Sequence, residues 1–169
     1  MVRLQEHSLR ILAPPGNCLT TLTQGPVMRI FWQDSMSLGI AALDCEHREL
    51  VLLLDQICVA IQSRNIQAGI TLLPRFIEVL DSHFLNEEML IETLRHPEAE
   101  DHIAGHRDAV PLVHALISAM TEERDLGQAE TAVSTFIAHL FTRLLHQDAL
   151  LARQLRDAPA TCGSASGSS

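Results

Sequence analysis

The chain has no tyrosine and one tryptophan, and aromatic side chains make up only 4% of its 169 residues. Sheets draw heavily on aromatic and β-branched residues. Their scarcity beside abundant Leu, Ile and Ala points to helices. No stretch reaches the roughly 18–20 apolar residues of a membrane span. Basic residues are few, 12 against 21 acidic ones, for a formal net charge of −9. That excludes a nucleic-acid surface, which needs clustered cations, and no basic amphipathic stretch marks a membrane-surface helix. The four cysteines, Cys18, Cys45, Cys58 and Cys162, form no CxxC pair. Cys45 and Cys58 fall in one expected helix, too far apart to bridge. Free thiols suit a reducing cytosol, and the first residues lack the apolar core and cleavage site of a secretion signal, so a cytoplasmic location is expected.

Hydrophobic residues make up 47% of the chain, enough for one domain with a substantial core. Residues 1–28 carry no sustained period and are punctuated by Pro14, Pro15, Gly16, Gly25 and Pro26, which predicts an irregular extension. Residues 158–169, ending in a Ser- and Gly-rich run, read as a flexible tail. Between them, residues 29–157 contain four helical stripes. The first, within 41–63, is Leu43, His47, Leu50, Leu54, Ile57 and Ile61. The second follows Asn65 with Phe76, Leu80, His83, Glu87, Leu90 and Leu94. The third begins near Pro97 with Ala99, His102, His106, Ala109, Val113, Leu116 and Met120. The fourth, from Leu126 to Arg156, is Ala132, Phe136, His139, Arg143, His146 and Leu150. The links are short, so the expected fold is all-α, an up-down-up-down antiparallel four-helix bundle. Pro74 is expected in the first turns of the second helix, and Pro111 is expected to interrupt the third.

The stripes hold polar residues where Leu or Ile would stabilise a core. His47, His83, Glu87, His102 and His106 all take inward positions. An unpaired buried imidazole or carboxylate is costly, and a metal shared between helices offsets that cost. His83 and Glu87 are four residues apart, as are His102 and His106, so each pair projects from one helix face on successive turns. Imidazole and carboxylate suit iron or zinc, but structural zinc sites usually include Cys. His7, His96 and His114 lie off the stripes and are expected at the surface, with Met89 and Met120 as packing residues. Asp44 is expected to start or cap the first helix. Trp32 is expected to cover one end of the bundle or plug it.

Three motif groups then resemble the bacteriohemerythrin family. Phe31-Trp32-Gln33-Asp34, Ser37-Leu38-Gly39-Ile40 and Leu43-Asp44-Cys45-Glu46-His47-Arg48-Glu49-Leu50 are similar to its opening. His83-Phe84-Leu85-Asn86-Glu87-Glu88 is similar to its HFxxEE, and His102 with His106 to its HxxxH. The resemblance spans residues 29–153. It implies a four-helix bundle around a non-haem di-iron centre: His47 and His83 on one iron, His102 and His106 on the other, with Glu87 and Asp148 bridging. Glu87 is preferred to Glu88 because it keeps the helical phase. The implied function is reversible binding of dioxygen or a similar small ligand by two iron ions, for storage, delivery or sensing, with no enzyme activity. No nucleophile–base set is readable. Peroxide or nitric oxide chemistry and redox signalling are the alternatives.

One position departs from the family. Its fifth histidine falls where this chain has Arg143, five residues before Asp148. Guanidinium is donor-only and always charged, so it cannot ligate iron. Arg143 is expected to reach outward or to pair with Asp148 or Glu87. His139 and His146, each about a turn away, are the candidates to complete the ligand set.

Overall fold

The computed structural model describes residues 28–157. Four helices are connected in sequence: α1 (Ala41–Gln62), α2 (Ile66–Leu94), α3 (Ala99–Thr121) and α4 (Leu126–Arg143). α4 runs on through a π-helical turn, Leu144–Asp148, into α5 (Ala149–Asp157). Each helix packs on its neighbour in sequence, and α4 closes the ring against α1, giving the four-helix bundle.

The tight connections come from backbone geometry that the sequence does not advertise. Arg64, Arg95 and Arg124 each take a left-handed conformation, with φ of 57°, 49° and 51°. This region is uncommon for non-glycine residues. Backbone N–H groups just beyond reach back into the preceding helix: Asn65 to the Ala60 carbonyl, His96 to Ile91 and Asp125 to Ala119. Such bonds satisfy carbonyls that a helix end leaves open. α2 and α4 then start on side-chain caps, whereas α3 has none at Glu98. Asn65 accepts from the Ala68 N–H and Asp125 from the Gln128 N–H.

Two prolines sit inside helices. Pro74 lies in the third turn of α2, at the far edge of the first turns expected for it, and Pro111 lies within α3 without interrupting it. Both are on exposed faces. A missing N–H costs least there, because the freed carbonyl is not sealed in a core.

Two buried aspartates of α1, three turns apart on one face, tie down the segment that precedes it. Asp55 accepts from Nε and Nη2 of Arg29 and from the Ile30 N–H. Asp44 accepts from the Ser37 hydroxyl and the Leu38 and Gly39 N–H groups. Asp44 thus secures the entry to α1, although Ile40 occupies the cap position. Burial pulls both carboxyls upward, but the hydrogen bonds outweigh it and hold them below the usual range. Trp32 lies half-buried against the main core with the Arg48 guanidinium 4.8 Å over its ring, so it flanks α1. Cys45 and Cys58 are both free in α1. Burial, with the charge of Asp55, pushes the Cys58 thiol up to about 12, so it stays protonated.

The core is layered. A large apolar cluster includes Leu54, Ile57, Phe76, Leu116, Met120 and Phe136, and a small one contains Leu38, Leu43 and Ala152. On every helix the polar inward residues fall between the two: His47 between Leu43 and Leu50, Glu87 beyond Leu80, Asp148 between Leu140 and Ala152.

The fourth stripe holds only to Arg143. In a straight α-helix, five residues turn about 500°, leaving Arg143 and Asp148 about 140° apart. One i→i+5 turn returns them to the same side. Arg143 and Asp148 are therefore both buried, while His146 and Leu150, expected inward, are exposed. Two further corrections concern single residues. Met89, expected to pack, is 58% exposed; His96, expected at the surface, is buried, its Nδ1 accepting from the Glu98 N–H as the α2–α3 link folds inward.

Asp55→Ala leaves the buried Ile30 N–H unpaired and should cost about 1–3 kcal/mol at pH 7. Because folding lowers the Asp55 pKa, its contribution is full above the unfolded value of about 4 and fades as pH falls through the lower folded value. Urea midpoints of wild type and variant should therefore differ at pH 7 and converge near pH 2. A constant gap across that range would contradict the assignment.

Candidate metal centre

The six residues singled out from the sequence come together in one layer of the bundle. His47 on α1, His83 and Glu87 on α2, His102 and His106 on α3, and Asp148 at the end of the π turn are all buried. The four imidazoles aim Nε2 at the carboxylates. Oε2 of Glu87 lies 3.1 Å from His102 Nε2, 3.2 Å from His106 Nε2 and 3.7 Å from His83 Nε2. Asp148 reaches both sides, with Oδ2 at 3.4 Å from His47 Nε2 and Oδ1 at 3.4 Å from His102 Nε2. His47 and His83 bring their Nε2 atoms within 3.2 Å of each other.

Two groups of donor atoms emerge, each compact enough for one cation. His47, His83, Glu87 and Asp148 form the first, and Glu87, His102 and His106 the second, all donor atoms within a group lying within 4.8 Å of one another. Glu87 belongs to both. Oε1 of Glu87 and Oδ1 of Asp148 are buried without a hydrogen-bond partner. Two carboxylates and four imidazoles in an apolar layer carry excess negative charge and lone pairs, which two cations would compensate. The donor set fits that role.

Two of the four outer nitrogens face carboxylates, while Nδ1 of His47 is buried without a partner. Glu88 Oε1 accepts from Nδ1 of His106 at 3.0 Å, and Glu46 Oε2 lies 3.4 Å from Nδ1 of His83. A proton kept on Nδ1 leaves the Nε2 lone pair facing inward. Glu46 is itself fixed by Asn86 and Ser82. The His106 ring stacks on Phe84, centroids 4.1 Å apart. Burial pushes Glu87 up, but hydrogen bonds from His102 and His106 and the charge of His83 bring it below the usual carboxylate range. Burial likewise lowers His83, and Glu46, Glu87 and Asp148 more than reverse it.

Arg143 departs from expectation. It is buried, yet makes no ion pair with Asp148 or Glu87 among the described residues. Nη2 instead donates to the His102 carbonyl at 2.6 Å. The guanidinium lies on the α3 backbone at Gly105, where a Cβ would collide with Nη1 and Cζ. Burial lowers the Arg143 pKa, against the opposing charges of Asp148, Glu87 and Asp108. Neither candidate replacement joins the cluster. His139 Nε2 is 3.2 Å from the Gly105 carbonyl, and His146 is exposed. Sequence reasoning assigned no role to Gly105 or Glu46, and weighed Glu88 only as a bridging alternative to Glu87 and not as the partner of His106. A glycine between two inward histidines was the one available signal.

Residues 38–155 match the model of the hemerythrin HHE cation binding domain. The chain belongs to that family. It is also similar to a bacteriohemerythrin of Stenotrophomonas maltophilia (strain R551-3), 27% identical over 116 residues, which cover 69% of this chain and 71% of that protein. The hemerythrin match contains both donor groups and Arg143, and extends to within two residues of the last described helix's end.

If cations occupy this layer, loading should stabilise the fold. Saturation at about 100 times Kd corresponds to ~2.7 kcal/mol, or roughly 5–10 °C in Tm for a domain of this size. Ferrous iron should produce that rise in wild type and not in Glu87→Ala. Equal melting of stripped and iron-supplemented wild type would mean the layer binds no iron.

Proposed function

We propose that the chain holds two iron ions in this layer and binds dioxygen reversibly there. The single observation that carries the reading is that Glu87 is shared by two buried His-carboxylate groups. His47 and His83 would hold one iron and His102 and His106 the other, with Glu87 and Asp148 spanning both. Held by these residues, ferrous ions would supply the electrons that a bound dioxygen takes up.

The chain's own residues set the conditions. The large apolar cluster on one side and Leu38, Leu43 and Ala152 on the other keep bulk water from the layer. Glu88 retains the Nδ1 proton of His106, which keeps that ring oriented. The reading is a binder of a small ligand rather than an enzyme, supported by the membership of the hemerythrin family and the likeness to a bacteriohemerythrin. The acidic charge and free thiols fit a cytoplasmic protein that does not engage nucleic acid. No described helix is long and apolar enough to cross a membrane. Residues 29–157 would form the iron-binding unit, with 1–28 an extension and 158–169 a tail, both almost wholly outside the described residues.

Anaerobic reconstitution should give close to two irons per chain by elemental analysis. A visible absorption band should then appear in air and disappear on deoxygenation over repeated cycles. Less than half an iron per chain would refute the di-iron reading, and a band that never reverses would refute reversible binding.

A further inference from the structure

Where the two donor groups meet Arg143 lies a small, partly enclosed cavity of about 10 Å³, lined by His83, Glu87, His106, Asp148, His139 and Arg143, with Gly105 and apolar side chains completing the wall. That is about the space of one water-sized particle. Arg143 is only 8% exposed, and its Nε is buried with no hydrogen-bond partner. The guanidinium has one strong anchor, the His102 carbonyl, which is neutral. A buried guanidinium that makes no ion pair among the described residues, with an unpartnered N–H and a cavity beside it, is a recognition element for an anion.

The two donor groups are also unequal. The first contains four residues and the second three, and Arg143 stands on the open side of the second without being able to ligate. An anion in the cavity would meet the guanidinium on one flank and the cation held by Glu87, His102 and His106 on the other. A neutral ligand would gain much less from the first contact.

We infer that this cavity is a binding site for a small inorganic anion of one heavy atom, such as fluoride or hydroxide, and that Arg143 determines its preference for anions over neutral ligands. The inference rests on the two-metal reading above and adds to it a second ligand position on the Arg143 side. Gly105 is part of the device, because only a residue without Cβ lets the guanidinium lie where it does. The cavity volume excludes organic anions.

The test uses the full chain loaded with iron and oxidised, with fluoride as the probe. Iron per chain is measured first. Fluoride is then titrated by absorption and by calorimetry, and nitric oxide is titrated into the reduced protein as the neutral comparison. Arg143→Gln keeps polar donors but removes the charge, and should weaken fluoride binding at least tenfold, the scale of a hydrogen bond to a charged group. Nitric oxide affinity should change less than about threefold. Gly105→Ala keeps the arginine but displaces the guanidinium, and should also weaken fluoride. It stands as the independent variant if Arg143→Gln folds poorly. Wild type that fails to hold two irons overturns the function proposed above, and this inference with it. Two irons in every variant with unchanged fluoride affinity overturns this inference alone. Equal losses for fluoride and nitric oxide overturn the anion preference.

Discussion

Glu87 and Asp148 are carboxylates held in the middle of an apolar bundle, and the cost of keeping them there governs the surrounding structure. Four imidazoles from three helices converge on them, so the helices are registered against one another by polar contacts as well as by packing. Leu or Ile at these positions would satisfy the stripe and leave the bundle free to slide. The convergence removes that freedom but leaves oxygens unpartnered. The layer therefore carries a mismatch of charge that the protein alone does not resolve.

The π turn at Leu144–Asp148 is where this demand reshapes the backbone. An unbroken α4 would bury His146 and turn Asp148 off the layer. The turn delivers Asp148 to His47 and His102 and still leaves Arg143 inward. With Asp148 engaged by histidines, Arg143 uses the α3 backbone instead, and Gly105 opens the space. The π turn, the buried arginine and the glycine are thus connected consequences of fitting one carboxylate into the layer.

The bundle and five of the six residues that meet in the polar layer were legible because they obey a single period. His47, His83, Glu87, His102 and His106 lie in phase with Leu, Ile and Phe over several turns, and polarity in such a stripe is readable without coordinates. Asp148 was legible only through resemblance, since its phase depends on a turn that no residue signals. The fourth stripe failed after Arg143 for the same reason, misplacing His146 and Leu150. The partner of Arg143 was hidden differently: a backbone carbonyl has no sequence identity, and reasoning over side chains offered Asp148 and Glu87 instead. His96 was misread because it lies in a link, where periodicity says nothing about burial. The left-handed arginines at the helix ends were equally silent, because glycine is the residue usually expected there.

The central claim is that one shared carboxylate organises two cation positions. Anomalous X-ray scattering at the iron edge, from crystals of the reconstituted protein, tests it most directly. The account predicts two separate anomalous peaks, one between His47 and His83 and one between His102 and His106, with Glu87 reaching both. A single peak, or peaks away from these six residues, would contradict it.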